Sequence, residues 1–238
     1  EPVQPPVGLE WLWNRVWLLA SSPASTRSRL AVAEAQVNTW LQVSDIPSDL
    51  AETAVTIGKF DAIHLGHQSL LAELLDVAED GMLAPVVLSF ANHPNAVLSP
   101  SNVPLPVIGP NQRAYLLEEA GVEGVLSLEF DAELAGLSAE AFVTRYLVEG
   151  LKARAVIVGR GFRFGAGGAG TVETLRELGA KHGFTVREVA PVLLDGSVAI
   201  GGAVEENGYL FLSGFTDTRE KDIVTCYEKL GFRYINRI

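Results

Sequence analysis

The chain alternates between short apolar runs and longer segments in which apolar positions recur every three or four residues. Five apolar runs of strand length are bounded by glycine, proline or polar residues, at 54–58, 84–90, 124–128, 153–158 and 184–189. Four amphipathic stretches of helix length lie among them, at 66–79, 111–121, 138–151 and 171–183. This alternation predicts an α/β fold in which a parallel sheet is covered by helices on both faces.

Two flanking segments do not follow this alternation. Leu9 to Ala20 show helical spacing and contain three tryptophans. We expect this helix to pack on the main domain, with a membrane-surface or partner-binding helix as the alternative. After about residue 196 the chain is loop-rich, and a strand (209–212), a helix (217–230) and a short strand (232–236) follow. The expected division is an N-terminal extension (1–35), a main domain (36–196) and a C-terminal tail of uncertain origin (197–238).

Composition narrows the classes of partner and compartment. The 238 residues carry a formal net charge of −11, so nucleic acid is not expected as a partner, because its binding depends on basic contacts to phosphate. Cys226 is the single cysteine, which excludes an internal disulfide and suits a reducing cytoplasm. No apolar run approaches the roughly 18 residues of a membrane span. The chain starts at Glu1 rather than with a basic segment, so a signal peptide is not expected.

Three loops that follow predicted strands carry the candidate chemistry, at 59–66, 91–94 and 159–170. Ligands of parallel sheets bind beyond the carboxyl ends of the strands. The first loop contains His64, and His67 follows directly after it, at the start of a predicted helix. A helix N-terminus offers unpaired N–H groups and partial positive charge to a phosphate, and imidazoles add donors that can become charged near neutral pH. The pattern predicts a site for a nucleotide polyphosphate.

Four sequence pieces occur in order along the main domain. They are Gly58-x-Phe60-Asp61-x-x-His64-x-Gly66-His67, Leu88-Ser-Phe-x-x-His93-Pro94, Val156-Ile-Val-Gly159-x-x-Phe162-Arg-Phe-Gly165 and Ala169-Gly-Thr-Val-x-Thr-Leu175. From about Trp40 to Asp195 the chain thereby resembles the adenylyltransferase module of bacterial bifunctional riboflavin kinase/FAD synthetases, in the H-x-G-H nucleotidylyltransferase superfamily. The resemblance implies a Rossmann-like parallel sheet, here with an extra N-terminal helix and a C-terminal strand–helix–strand.

The resemblance also implies an activity, which is transfer of AMP from ATP to FMN with release of FAD and pyrophosphate. Mg²⁺ would bridge phosphate oxygens without dedicated protein ligands. His64 and His67 would be the catalytic residues, holding the ATP phosphates and stabilising the transferring group. The nucleotide-binding residues would be Gly58, Phe60, Asp61, Gly66 and Gly159. The flavin-binding residues would be His93, Phe162, Arg163 and Phe164.

Some of these roles have a plainer alternative. Asp61 could instead cap a turn or a helix. The Phe162–Phe164 segment could consist of one core aromatic residue and a solvated arginine. Gly159-x-Gly161-x-x-x-Gly165 after a strand could belong to a dinucleotide oxidoreductase or an S-adenosylmethionine methyltransferase. The tail bears a weak likeness to the last elements of a methyltransferase, so a chimaera is a further alternative.

The chain departs from the family pattern at several positions. Ala91 stands where the family has aspartate, Gly161 where it has asparagine or aspartate, and Ala62 where it has glycine. Ser197-Val-Ala-Ile-Gly stands in place of a Ser-Ser-Thr-x-Ile-Arg segment that contacts ATP phosphates. Loss of one preorganised polar contact typically costs about 10²–10³ in rate. A nucleotide- or flavin-binding protein without turnover is therefore the alternative to an active enzyme, and riboflavin phosphorylation is not expected.

Overall fold

The computed structural model describes residues 37–61, 63–101, 103–104 and 106–191, and the backbone of four two-residue strands between 193 and 211. The strands of the main sheet are β1 (Asn38–Trp40), β2 (Thr53–Ile57), β3 (Ala84–Phe90), β4 (Gly124–Leu128), β5 (Ala153–Gly159) and β6 (Thr185–Val189). The helices are α1 (Leu65–Gly81), α2 (Asn95–Leu98), α3 (Pro110–Glu119), α4 (Ala132–Gly136), α5 (Ala139–Phe142), which continues as a π-helix over Val143–Gly150, and α6 (Val172–His182). Short 3₁₀ turns lie at Val43–Asp45 and Ala166–Gly168.

All six strands run parallel in the order β1-β4-β3-β2-β5-β6. The predicted α/β fold with a Rossmann-like parallel sheet is thereby confirmed. From β2 the chain moves outward through β3 to β4, then returns across β2 to β5 and β6. The direction of winding therefore switches between β2 and β5, and such a switch opens a crevice at the carboxyl ends of the strands.

Strands β2 to β5 are buried on both faces of the sheet, which explains why they are continuous apolar runs rather than alternating ones. Helices α1 and α3 cover one face, where the cluster of buried side chains includes Leu74, Val87 and Leu117. Helices α4, α5 and α6 and the π-helix cover the other face, where the cluster includes Leu88 and Leu147. Two hydrophobic layers thus hold the central strands β2, β3 and β5 rigidly beneath the loops at their ends.

The edge strand β1 was not predicted, because Asn38 and Thr39 interrupt any apolar run. It pairs with β4 through Asn38–Gly124, Thr39–Val125 and Trp40–Leu126. A side chain at Gly124 would put its Cβ 2.5 Å from the Trp40 ring. The indole therefore occupies the space that the glycine leaves open, and this packing seats the edge strand.

Other sequence-based boundaries shift or change type. The helix predicted over 138–151 is α-helical only to Phe142 and continues as the π-helix. The short helices α2 and α4 were not predicted, since four or five residues carry no helical period. The other strands and helices predicted between residues 54 and 189 agree with the structure to within two residues at each end.

The tail agrees with its prediction only in part. Leu210–Phe211 forms a strand that pairs antiparallel with Ala203–Val204, inside the predicted 209–212. The segment predicted as loop contains Ser197–Val198, paired antiparallel with Leu193–Leu194. The predicted helices at 9–20 and 217–230 and the strand at 232–236 lie outside the described residues, so the three-part domain division stays a prediction. Within the described part of the chain, no helix has both the length and the apolar character needed to cross a membrane.

Candidate functional site

Three loops meet at the carboxyl ends of the adjacent strands β3, β2 and β5. The loop between β2 and α1, hereafter the β2–α1 loop, leads to His64 and His67. His93 follows β3, and the glycine-rich loop 159–170 follows β5. The structure therefore brings together the three loops that the sequence singled out, at the switch point of the sheet.

His64 directly precedes helix α1 and caps its N-terminus. Its backbone is extended (φ −65°, ψ 172°), and its Nδ1 atom accepts a hydrogen bond from the backbone N–H of His67 at 3.4 Å. A neutral imidazole has one acceptor and one donor nitrogen, so its proton lies on Nε2 when Nδ1 accepts. Cap formation thereby fixes the tautomer of His64 and leaves an N–H for a ligand.

His67 lies in the first turn of α1, next to Gly66, and stacks on its neighbours. Its ring centroid is 3.7 Å from that of His64 and 4.7 Å from that of Phe60. The residue as a whole is half-buried, but its Nδ1 atom is fully buried with no hydrogen-bond partner. The two stacked imidazoles and the tilted Phe60 ring form a small aromatic cluster at the N-terminus of α1.

Burial favours the neutral form of both histidines. Burial lowers the pKa of His64, and the charge of Asp61 partly opposes the shift. Burial lowers the pKa of His67 well below its ordinary value, and the adjacent His64 adds to the shift. Burial therefore opposes the expected charging of these imidazoles near neutral pH, and in their neutral form the rings offer N–H donors.

The free energy of unfolding should fall as the pH is lowered from about 7 to 5.5. The unfolded chain binds a proton on His67 near its ordinary pKa of about 6.5, whereas the folded chain keeps the ring neutral. Because folding disfavours the charged ring, the free energy of unfolding has its full value above a pH of about 6.5. Below that pH it falls, by at most about 1.4 kcal/mol at pH 5.5. Urea unfolding at both pH values measures the loss, and His67→Gln should show a smaller loss than the unmodified chain. An equal loss in both proteins would contradict the assignment.

Asp61 is held by the protein itself. Its Oδ1 atom accepts the backbone N–H groups of Val107 and Ile108 at 3.0 and 3.1 Å, and its Oδ2 atom lies 3.2 Å from Lys59 Nζ. Asp61 therefore accepts backbone N–H groups, as a capping carboxylate does, which was the alternative to nucleotide binding. These N–H groups belong to a distant segment rather than to its own turn.

Sequence reasoning missed Lys59, Ser89 and Arg113. Arg113 in α3 is buried and donates from Nη1 to the carbonyl oxygen of Lys59 at 3.1 Å, and Ser89 Oγ donates to the same oxygen at 3.1 Å. An arginine at the helical spacing of the buried Leu116 and Leu117 was the available signal, because a buried charge almost always has a partner.

The loop after β3 is fixed by its own side chains. His93 Nδ1 accepts the backbone N–H of Asn95 at 3.0 Å, which places the proton of a neutral ring on Nε2. Asn92 makes a reciprocal pair with Phe130, accepting its N–H at 2.7 Å and donating to its carbonyl at 3.0 Å. Ala91, where the family has aspartate, is exposed. The backbone at this strand end is therefore fixed by hydrogen bonds, and Ala91 supplies no carboxylate to it.

The glycine-rich loop divides its aromatic residues between core and surface. Phe164 is 7% exposed and packs against Phe142, while Phe162 is half-buried and stacks on Phe164 at 5.6 Å. Arg163 is exposed. Phe164 and Arg163 therefore match the plainer alternative of a core aromatic beside a solvated arginine, and the flavin contacts of Phe162, Arg163 and Phe164 stay predictions.

A pocket of about 500 Å³ lies between α3 and the sheet edge, lined by Thr39, Leu41, Ala91, Arg113 and Ser127 among others. Its volume falls in the range of small-molecule sites. Arg113 joins this pocket to the β2–α1 loop, because its Nη1 atom donates to the Lys59 carbonyl.

No group of three or more His, Cys, Asp or Glu side chains in the described part of the chain could hold a metal ion. Both carboxylate oxygens of Asp61, the acidic residue of the β2–α1 loop, already have protein partners. The donor set therefore does not form a protein cage for a cation.

Comparison with known proteins relates this site to a family. A family model described as FAD synthetase matches residues 46–200, more than half of the chain. The bifunctional riboflavin kinase/FMN adenylyltransferase of Pseudomonas fluorescens is 38% identical over 141 residues, covering 59% of this chain and 45% of that protein. The protein of the same name from Escherichia coli K12 is 33% identical over 132 residues, covering 56% and 42%. The chain spans about half the length of the curated relatives that it matches.

A solved structure supports the fold. The crystal structure of a macrolide-efflux protein from Streptococcus pneumoniae superimposes with a TM-score of 0.60 at 25% identity, covering 82% of this chain and 60% of that one. The matched region 46–200 includes all three strand-end loops, so the glycine-rich turn belongs to this module rather than to a dinucleotide oxidoreductase or a methyltransferase. The chain is thus a member of the FAD synthetase family.

Proposed function

We propose that this chain transfers AMP from ATP to FMN, giving FAD and pyrophosphate. The observation that carries the proposal is the pair of stacked imidazoles at the N-terminus of α1, at the switch point of a sheet of this family. An oxygen of the FMN phosphate attacks the α-phosphorus of ATP in line. The new O–P bond forms as the bond from the α-phosphorus to the bridging oxygen breaks, and pyrophosphate leaves with that bonding pair.

The residues of α1 act on the charge of this reaction. The first N–H groups of a helix have no intrahelical acceptor. That of His67 donates to His64 Nδ1, so the earlier N–H groups of α1 and the Nε2–H of His64 are the donors for the phosphates. Phosphoryl transfer depends mainly on positioning and on stabilising charge. His67 supplies a second imidazole, stacked on that of His64. Gly66 has no side chain, so the backbone can approach the nucleotide closely there.

The other assignments follow the loops. Gly58 and Gly159 line the nucleotide side of the crevice, where the fully buried Phe60 ring supports the loop from beneath. His93 and Phe162 face the flavin side. Mg²⁺, when bound, neutralises phosphate oxygens, and it would be held through the substrate phosphates because it commonly uses few protein ligands. The chemistry uses cytoplasmic metabolites, which agrees with a cytoplasmic location.

The experiment is direct. The purified chain is incubated with FMN, ATP and Mg²⁺, and FAD is separated by chromatography. Formation of FAD in proportion to enzyme, with equimolar pyrophosphate, is expected. Binding of ATP and FMN by calorimetry without any FAD at high enzyme concentration would overturn the proposal and support a binding protein without turnover.

Restoring two family residues should raise the rate of FAD formation. Ala91→Asp with Gly161→Asn returns a carboxylate and an amide to the crevice, and each such contact is worth up to about 10²–10³ in rate. Gly161 has φ +76°, and a Cβ added there would meet no atom within 4 Å. Asparagine tolerates that backbone better than most residues. We expect kcat to rise about tenfold or more in the double variant.

The matched control for this pair is Ala91→Asp with Gly161→Ala. Alanine imposes the backbone cost at Gly161 without adding an amide, so it should leave kcat below that of the asparagine variant. Equal rates in the two double variants would show that the amide contributes nothing.

A further inference from the structure

The β2–α1 loop adopts a backbone that its side chains disfavour. Phe60 has φ +53° and Ile63 has φ +40°, and both side chains are fully buried. A positive φ is uncommon outside glycine and is a genuine outlier for a β-branched residue such as Ile63. Such conformations persist only where the surrounding structure over-determines them, and they cluster at functional sites. The loop that presents both histidines therefore needs something to hold it.

The first set of contacts that fixes the loop is made by its own residue Asp61. The Oδ1 atom of Asp61 accepts the N–H groups of Val107 and Ile108, at 3.0 and 3.1 Å, just before α3 begins. The Oδ2 atom pairs with Lys59 Nζ at 3.2 Å, and both side chains of this pair are about one-fifth exposed. The carboxylate thus bonds two backbone groups that lie 46 and 47 positions away in the chain.

The second set of contacts is made by a side chain of α3 to the backbone of the loop. Arg113 is 8% exposed, and its Nη1 atom donates to the carbonyl oxygen of Lys59 at 3.1 Å. Ser89 on β3 donates to the same oxygen. A side chain of the loop therefore bonds the backbone before α3, while a side chain of α3 bonds the backbone of the loop.

We propose that Asp61 and Arg113 are positioning residues. Their hydrogen bonds, hereafter the clamp, fix the β2–α1 loop to the start of α3 and so keep His64 and His67 in the positions that the reaction requires. Asp61 does not bind the nucleotide in this proposal, because both of its oxygens are engaged within the protein. The inference rests on the proposed adenylyl transfer for its kinetic consequence, whereas the clamp itself is a property of the ligand-free chain.

The clamp predicts that two substitutions of Asp61 differ in their effect on kcat. Asp61→Ala removes the acceptor for Val107 and Ile108, whereas Asp61→Asn keeps an amide oxygen that can accept both N–H groups. Misplacing reacting groups by about 1 Å can cost about 10²-fold, so we expect kcat to fall about tenfold to hundredfold in Asp61→Ala, with KM for ATP within about threefold. Asp61→Asn should recover most of kcat.

Amide hydrogen exchange of the ligand-free protein gives a readout that needs no activity. The Val107 and Ile108 amides should exchange at least about tenfold faster in Asp61→Ala than in the unmodified chain, and near the original rate in Asp61→Asn, because loss of a hydrogen bond opens an amide locally. Arg113→Lys keeps a positive charge and guards against the unfolding that an apolar replacement could cause. It should also lower kcat, because a point charge does not reproduce the guanidinium geometry.

Arg145→Ala is the matched control, since it removes an arginine–carboxylate pair with Glu133 on the surface and should change neither readout. Unchanged exchange at Val107 and Ile108 in Asp61→Ala would overturn the clamp. A higher KM for ATP with unchanged kcat would instead assign Asp61 to the nucleotide and overturn the positioning role. If the unmodified chain forms no FAD, the proposed function fails. The clamp is then still supported by faster exchange in Asp61→Ala with unchanged ATP binding in calorimetry, and it is overturned if exchange is unchanged or if Asp61→Ala weakens ATP binding.

Discussion

Replacing His64 with asparagine should lower kcat for FAD formation by about 10²–10³, the usual cost of removing one preorganised donor. Asparagine is among the best helix N-caps, so it can still accept the N–H of His67 that His64 Nδ1 accepts at 3.4 Å. The substitution therefore removes the Nε2–H donor while the start of α1 is kept. The rate of FAD formation, measured at saturating ATP and FMN, reports the loss.

A second variant separates chemistry from capping. His64→Ala removes both the donor and the cap, so it should show the same fall in kcat and an additional loss of about 1 kcal/mol in the free energy of unfolding. His182→Asn changes a half-buried histidine in the last turn of α6 and should leave kcat unchanged. If His64→Asn kept its full rate, His64 would be a structural cap only.

Gly165→Ala should lower the free energy of unfolding by about 2–5 kcal/mol, the largest stability effect that we expect of a single methyl group in the glycine-rich loop. Gly165 has φ +72° and ψ 176°, a region that is essentially restricted to glycine and costs other residues about 1–3 kcal/mol. Its Cβ would also lie 2.7 Å from the backbone nitrogen of Ala139 and 2.9 Å from its Cα atom. Such overpacking adds about 1–3 kcal/mol.

Gly167→Ala is the matched control in the same loop. Gly167 has φ +61° and ψ 15°, and the added Cβ would meet nothing within 4 Å. Only the left-handed backbone then costs energy, about 1–2 kcal/mol. Urea unfolding of both variants measures the difference, and equal losses would show that contact with Ala139 does not constrain this loop.

The central sheet was predictable because its strands are buried on both faces. Strands β2 to β5 therefore appear as apolar runs between turn residues, and the helices between them carry one apolar face each. Strand β1 lacked this signal, since Asn38 and Thr39 are exposed and the strand is held by pairing with β4 and by the Trp40 ring over Gly124. Such a strand is created by its neighbours rather than by its own composition.

The positions of the candidate site residues were predictable from the order of the loops, but their contacts were not. Loops that end parallel strands must share one edge of the sheet, so His64, His67 and the glycine-rich loop were expected together. Asp61 instead meets Val107 and Ile108, and Arg113 meets Lys59 across 54 positions of the chain. Hydrogen bonds between segments so far apart leave no periodic trace in the sequence.

The sequence by itself therefore determined the kind of sheet, the edge at which its loops converge and the two imidazoles at the start of α1, because hydrophobic period and local capping are written in neighbouring residues. Only the tertiary structure decided that burial lowers the pKa of both histidines, that Phe164 belongs to the core and that Asp61 accepts hydrogen bonds from the segment before α3. Burial and long-range hydrogen bonding depend on what surrounds a side chain in space, and that is set by the packing of distant segments.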